Sequence, residues 1–168
     1  MCYEKFGFLA AKDYWFDNNF RRRFFKNLIN LIPISRKPNP ESLDLDDTMT
    51  LSKAFMDLGN NIIIFPEGSR GEVGKIQRFR KGAVKFSMGL DVPILPAAIM
   101  GAEKAWPKGE KFIKPFPITV KVLPKIDPPK TEELSKTAYN KALSKITKEL
   151  EIKISEAVKE LEETKSPD

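Results

Sequence analysis

The stretch that decides the fold is NIIIFPEGSRG, residues 61–71. It holds three consecutive isoleucines, and a continuous β-branched run of this kind predicts a central strand that is buried on both faces. Pro66 ends that strand, because proline cannot donate a backbone hydrogen bond to a neighbouring strand. The polar residues that follow are therefore expected at the carboxyl end of a sheet, where open α/β folds bind their ligands.

Short apolar runs and helical patterns alternate along the rest of the chain. Strands are predicted at residues 6–11, 32–36, 93–99 and 118–123, and helices at residues 18–31, 47–58, 82–89 and 132–161. The last of these is an amphipathic C-terminal helix whose apolar residues recur at spacings of three and four. Since parallel strands need helical crossovers, this alternation predicts an α/β fold with a mostly parallel central sheet flanked by helices.

Length and composition set limits on organisation and chemistry. With 168 residues and 41% hydrophobic content, the chain is interpreted as one domain, residues 1–168. Histidine is absent, so acid–base chemistry within this sequence must use Asp, Glu, Lys or Tyr. Cys2 is the one cysteine, which excludes an internal disulfide and suits a reducing cytoplasmic setting.

The net charge of +6 favours an anionic partner, such as a phosphate ester, an acidic lipid surface or a nucleic acid. A basic and aromatic element precedes and overlaps the first predicted helix, and its residues are Trp15, Phe16, Arg21, Arg22, Arg23 and Lys26. This element is either a core helix with a solvated charged face or a helix that lies on an anionic membrane surface. A nucleic-acid module would also use such a patch, but it would leave residues 65–71 unexplained.

No apolar run approaches the roughly 18 to 20 residues needed to cross a bilayer, so we expect a cytoplasmic protein, peripheral on the inner face of the membrane.

The polar residues after the central strand can bind a phosphorylated ligand. Glu67 can orient a hydroxyl or a cation, and Arg70 offers a planar fork for phosphate oxygens. The glycines on either side of Ser69 and Arg70 let the backbone approach a ligand closely. The alternative is an ordinary loop in which Glu67 and Arg70 pair with each other. The glycine spacing does not fit the phosphate loop of nucleotide-binding proteins.

Three blocks of this sequence resemble those of the glycerolipid acyltransferase family, the lysophosphatidic acid acyltransferase type. FPEGSRG, residues 65–71, resembles the family's phenylalanine-proline-glutamate-glycine-threonine-arginine motif, with Ser69 in place of the threonine. FRKGA, residues 79–83, resembles the phenylalanine, basic residue and glycine-alanine pair that follow the motif. VPILP, residues 92–96, is similar to the family's valine-proline-isoleucine-x-proline block.

A fourth block lies upstream. IPISR, residues 32–36, is similar to the family block that ends in an arginine in contact with the glycerol phosphate. It departs from the pattern at Asn30, which replaces a glycine, and at Ser35, which replaces an aspartate. The resemblance extends over residues 6–161, nearly the whole chain.

The resemblance implies a glycerol-3-phosphate acyltransferase-like fold and a set of substrate-binding residues. Those residues are Arg36, Glu67, Gly68, Ser69, Arg70 and Lys81. The two arginines would hold the acceptor's phosphate, the Glu-Gly pair would position its glycerol portion, and the serine would support the loop or donate a hydrogen bond. The lysine either contacts phosphate or the carrier, or is a solvated charge. No metal or bound redox cofactor is implied.

The parent function implied by the resemblance is transfer of a fatty acyl group from an acyl-CoA or acyl carrier protein thioester. The acceptor would be 1-acyl-glycerol-3-phosphate (lysophosphatidic acid) or a related lysophospholipid, in phospholipid synthesis. The family's catalytic block is an asparagine-histidine pair followed four residues later by an aspartate, and it precedes the part resembled by residues 6–12. We expect this chain to begin after that block and to lack the first strand and the catalytic turn, so no residue is assigned a catalytic role. The alternative is a non-catalytic lysophospholipid-binding or membrane-surface-binding protein that keeps the acceptor site.

Overall fold

A computed structural model describes residues 6–11, 30–34, 45–69, 71–72, 74–107, 109–110, 112–132 and 134–164. The chain divides into two compact units, Met1–Phe65 and Pro66–Asp168. The interpretation of residues 1–168 as one domain stays a prediction. The basic and aromatic element lies outside the described residues, as do Arg36 and Arg70.

The first unit contains a parallel sheet of three strands, in the order β2-β1-β3. Its strands are β1 (Phe6–Ala11), β2 (Asn30–Ile34) and β3 (Asn61–Ile63), with helix α1 (Leu45–Asp57) between β2 and β3 along the chain. Helix α1 packs closely on β1, because a β-carbon added at Gly7 would lie 2.7 Å from Phe55 Cε1. The parallel pairings and the predicted helix at residues 47–58 are thus both present in this unit.

Two predictions about this sheet need correction. Strand β2 begins at Asn30, which was assigned to the end of the helix at residues 18–31, because Asn30 and the next residue pair with Gly7 and Phe8 of β1. Strand β3 is not a central strand buried on both faces. Among the described residues it pairs with β1 alone, so Ile62 and Ile63 are only half-buried.

The second unit contains helices and an antiparallel pair of strands. Its elements are α2 (Gly82–Leu90), β4 (Ala97–Met100), α3 (Ala102–Ala105), β5 (Thr119–Val122) and α4 (Lys136–Thr164). The strand predicted at residues 93–99 is shorter than expected. Ile94 forms an isolated bridge with Ile126, and the pairing becomes regular only after Pro96, since proline interrupts a ladder of hydrogen bonds.

The core of this unit lies between α4, α2 and the segment that precedes α2. Its buried cluster consists of Phe79, Val84, Met88, Ile126, Leu143 and Leu150. The predicted C-terminal helix is present but begins at Lys136 instead of residue 132, because Ser135 Oγ accepts from the Ala138 N–H and caps the helix. Leu150 lies on its buried face as expected, but Leu143 and Thr147 are also buried there. The α/β class is confirmed, with parallel pairing in the first unit and antiparallel pairing in the second. Among the described residues, no helix has both the length and the apolar character needed to cross a membrane.

Candidate functional site

The loop at residues 66–69 is fastened to the segment at residues 76–81 by three hydrogen bonds. The backbone N–H of Arg80 donates to the Pro66 carbonyl oxygen at 2.8 Å. The backbone N–H of Gln77 donates to Glu67 Oε2 at 2.9 Å, and Ser69 Oγ donates to Gln77 Oε1 at 3.3 Å. These bonds tie the loop to a segment about ten residues further along the chain.

Gly68 is required at its position for two reasons. Its φ of +72° lies in the left-handed region, where a side chain is strained. A β-carbon at this position would also lie 2.9 Å from Arg80 Nε and 3.0 Å from Arg80 Cδ. The Arg80 side chain therefore lies directly against the glycine of the loop, while the residue as a whole remains exposed.

The other side of the segment 76–81 is attached to helix α4. The backbone N–H of Phe79 donates to Glu151 Oε2 at 2.9 Å, and Lys148 Nζ donates to Glu151 Oε1 at 2.7 Å. The hydrogen bond from Lys148, followed by the one from Phe79, lowers the pKa of Glu151 below its ordinary value. Because only 20% of the Glu151 side chain is exposed, this ionised carboxylate is a well-ordered link between the segment and α4.

An open groove of about 600 Å³ runs between the segment 76–81 and α4. Three cationic side chains line it, from Arg78, Lys81 and Lys148, together with the Glu151 carboxylate. Lys81 Nζ donates to Ser144 Oγ of α4 at 2.9 Å. Lys81 is thus directed toward α4, although its neighbour Arg80 lies against the loop.

The structure describes four of the six predicted site residues. It places Glu67, Gly68 and Ser69 in one fixed loop and Lys81 in the groove beside α4. Arg36 and Arg70 lie outside the described residues, so the predicted phosphate grip by these two arginines stays a prediction.

Sequence reasoning missed three residues that shape this site, namely Gln77, Arg80 and Glu151. Arg80 stands inside the FRKGA block, between Phe79 and Lys81, so its basic character is visible in the sequence. Its position against Gly68 could not be read from spacing. Glu151 lies 72 residues from Phe79 in the chain, and no local pattern predicts that contact.

The arrangement is suited to a small anionic or hydroxylated ligand. Arg80 presents an exposed guanidinium, which binds phosphate or carboxylate oxygens through paired hydrogen bonds. Ser69 presents an exposed hydroxyl on the same loop, and the Glu67 carboxylate is a hydrogen-bond acceptor.

Comparison with known proteins gives a family match and several relatives. A family model described as Acyltransferase matches residues 4–100. The 1-acyl-sn-glycerol-3-phosphate acyltransferase of Limnanthes douglasii is 42% identical over 67 residues, which are 40% of this chain and 24% of that protein. The 1-acyl-sn-glycerol-3-phosphate acyltransferase of Cocos nucifera is 31% identical over 104 residues, which are 62% of this chain and 32% of that protein. The matched stretches thus cover a third or less of these two relatives.

A solved structure is similar in fold. It is the crystal structure of the 1-acyl-sn-glycerophosphate (LPA) acyltransferase PlsC from Thermotoga maritima, with a TM-score of 0.53 and 18% sequence identity. The likeness covers 90% of this chain and 57% of that one. It confirms the predicted acyltransferase-like α/β fold.

Proposed function

We propose that this chain, which belongs to the acyltransferase family, holds the acceptor in the transfer of a fatty acyl group to 1-acyl-glycerol-3-phosphate or a related lysophospholipid. The observation that carries the proposal is the fixed loop at residues 66–69. Its family-like Pro-Glu-Gly-Ser sequence is hydrogen-bonded to Gln77 and Arg80, and its Ser69 is exposed to solvent. Loops held in this way lose little conformational entropy when a ligand binds.

The residues of the loop have complementary roles in this proposal. Glu67, oriented by the Gln77 N–H, accepts a hydrogen bond from the glycerol portion of the acceptor. Gly68 lets the ligand approach the backbone, and Ser69 supports the loop through its contact with Gln77. Arg36 and Arg70 are proposed to contact the acceptor's phosphate, because both match arginines of the family motifs.

The transfer reaction itself needs a proton acceptor. The acceptor's hydroxyl oxygen attacks the thioester carbonyl carbon, a C–O bond forms, and the C–S bond breaks to release the carrier's thiolate. A general base takes the hydroxyl proton, the thiolate gains a proton, and a positioned base contributes about 10²- to 10⁴-fold to the rate. Since these 168 residues contain no histidine, we expect this chain alone to bind the acceptor and to transfer acyl groups slowly. The second candidate is a non-catalytic lysophospholipid-binding or membrane-surface-binding protein, which would keep the acceptor site without the transfer reaction.

The donor and the membrane belong to the proposal as well. The donor is an acyl-CoA or acyl carrier protein thioester, and the protein acts at the inner face of an anionic membrane. The net charge of +6 and the basic and aromatic element support the membrane contact. Sedimentation with phosphatidylglycerol vesicles should therefore weaken in an Arg21, Arg22 and Arg23→Glu variant and in high salt. Equal sedimentation of the variant and the unmodified chain would contradict this part.

The test of the function is a lysophosphatidic acid titration run beside a thioester-release assay on the 168-residue chain. We expect saturable binding, thioester release far below rates normal for an enzyme, and weaker binding in Glu67→Ala. Glu72→Ala is the matched control, because Glu72 forms an exposed ion pair with Lys75. Absence of binding would remove the proposed function. Release at enzymatic rates that Glu67→Ala abolishes would show that Glu67 serves as the base and that no histidine is needed.

A further inference from the structure

Arg80 and Arg78 are both exposed cations on the segment 76–81, but their surroundings differ. Arg78 lines the groove beside α4, where its charge acts on the Glu151 carboxylate. Arg80 lies against Gly68, and no acceptor among the described residues binds its guanidinium. Among the described residues, the structure thus presents one arginine beside a carboxylate and another that has no side-chain hydrogen-bond acceptor.

The position of Arg80 is maintained by the loop. Its backbone N–H donates to the Pro66 carbonyl oxygen at 2.8 Å, so the residue is fixed at the base of the loop. Its side chain lies so close to residue 68 that a β-carbon there would be 2.9 Å from Nε and would make the side chain shift. The Arg80 side chain thus lies beside Gly68, the residue between Glu67 and Ser69 in the loop.

We infer that Arg80 forms a phosphate subsite with this loop and contacts the phosphomonoester of the acceptor directly. The inference rests on the proposed function and adds to it a residue that determines affinity for the phosphate group. A guanidinium suits this ligand, because its planar fork can donate two parallel hydrogen bonds to phosphate oxygens. Arg80 would act in addition to the arginines proposed from the family motifs.

The experiment is a calorimetric titration of the 168-residue chain with glycerol 3-phosphate, a soluble compound that carries the phosphomonoester. Arg80→Gln should weaken binding by about 10- to 100-fold, the value of a lost charge-assisted hydrogen bond. Arg80→Lys should recover part of the affinity, because lysine keeps the charge without the fork. Arg78→Gln is the matched control, since Arg78 is two residues away and is also exposed, and it should change affinity by about twofold or less.

The outcomes separate the inference from the function on which it rests. Equal affinity of the unmodified chain and Arg80→Gln would overturn the phosphate subsite and leave the proposed function standing. A loss in Arg78→Gln as large as that in Arg80→Gln would also overturn it, because a general charge effect would then explain both. If the unmodified chain bound lysophosphatidic acid but not glycerol 3-phosphate, the phosphate subsite alone would be overturned; absence of binding to both compounds would overturn both proposals. Thermal unfolding of Arg80→Gln should match that of the unmodified chain, since the bond to Pro66 uses the backbone.

Discussion

The two sides of the segment 76–81 make different contacts: one side contacts the core and helix α4, and the other contacts the loop at residues 66–69. On the α4 side, Phe79 is buried in the core with only 6% exposure, and its N–H is held by the ionised Glu151. On the loop side, Gln77 and Arg80 hold the polar loop through backbone N–H groups, while the Arg80 side chain remains exposed. One short segment thus links the core to the candidate site. Substitutions on the α4 side should change stability, and substitutions on the loop side should change ligand binding.

The largest effect is expected from Phe79→Ala. Removing a core aromatic side chain costs about 3 to 5 kcal/mol of unfolding free energy, because the cavity that remains cannot close fully. Chemical denaturation followed by circular dichroism measures this loss. Phe112→Ala is the control, since 79% of Phe112 is exposed, and it should change stability by about 0.5 kcal/mol or less. Similar losses in the two variants would show that Phe79 does not belong to the core.

The next effect is expected from Glu151→Gln, and it depends on pH. Loss of the charged acceptor for Phe79 and Lys148 should cost about 1 to 3 kcal/mol near pH 7. The folded-state pKa of Glu151 is lowered, so its contribution is present above the ordinary value of 4.5 and is lost as the pH falls through the folded value. The difference in stability between the unmodified chain and the variant should therefore shrink in acid.

The control for Glu151 stands on the same helix. Glu149 pairs with Lys153, and both side chains are about two-fifths exposed. Glu149→Gln should cost about 0.5 kcal/mol or less, as is usual for a surface ion pair. If the stability difference caused by Glu151→Gln did not change between neutral and acidic pH, the ionised link to Phe79 would be refuted.

A pair of glycine substitutions tests the loop side. Gly68→Ala and Gly74→Ala each place a side chain at positive φ, which should cost about 1 to 2 kcal/mol in both variants. Only Gly68→Ala also displaces Arg80, because nothing lies within 4 Å of a β-carbon at Gly74. Titration with glycerol 3-phosphate should show weakened binding in Gly68→Ala alone. Equal binding by the two variants would indicate that the Arg80 position does not matter.

The smallest effect is expected from Lys81→Ala, which decides between the two interpretations of that residue. Its ammonium donates to Ser144 on the α4 side and is exposed, so stability should fall by about 0.5 kcal/mol or less. Binding of glycerol 3-phosphate should stay within about twofold of the unmodified chain. A tenfold loss of affinity would show that Lys81 contacts the acceptor's phosphate. Ligand binding would then depend on both sides of the segment 76–81.

The elements that follow from local patterns were predictable from the sequence. Apolar residues at spacings of three and four predicted α1 and α4, and the apolar run from Phe6 predicted β1. The start of β2 was missed because its pairing with β1, across some twenty residues, decides the conformation of Asn30. The short extent of β4 follows from Pro96, which the sequence also contained.

The site was predictable only in part. The motif residues Glu67, Gly68 and Ser69 were identified from their resemblance to a family. The contacts that fix them depend on tertiary structure. Gln77 and Arg80 meet the loop because the chain turns back on itself, and Glu151 reaches Phe79 from a helix 72 residues away. Sequence spacing carries no information about such contacts.

The central claim, that the acceptor's phosphate binds at the loop beside Arg80, is tested most directly by a nuclear magnetic resonance titration of the labelled chain with glycerol 3-phosphate. We expect the largest shifts at the backbone amides of Glu67, Gly68 and Ser69 and at the Nε of Arg80. Shifts confined to the groove beside α4, at Ser144 and Lys148, would contradict the claim and would assign phosphate binding to the other side of the segment.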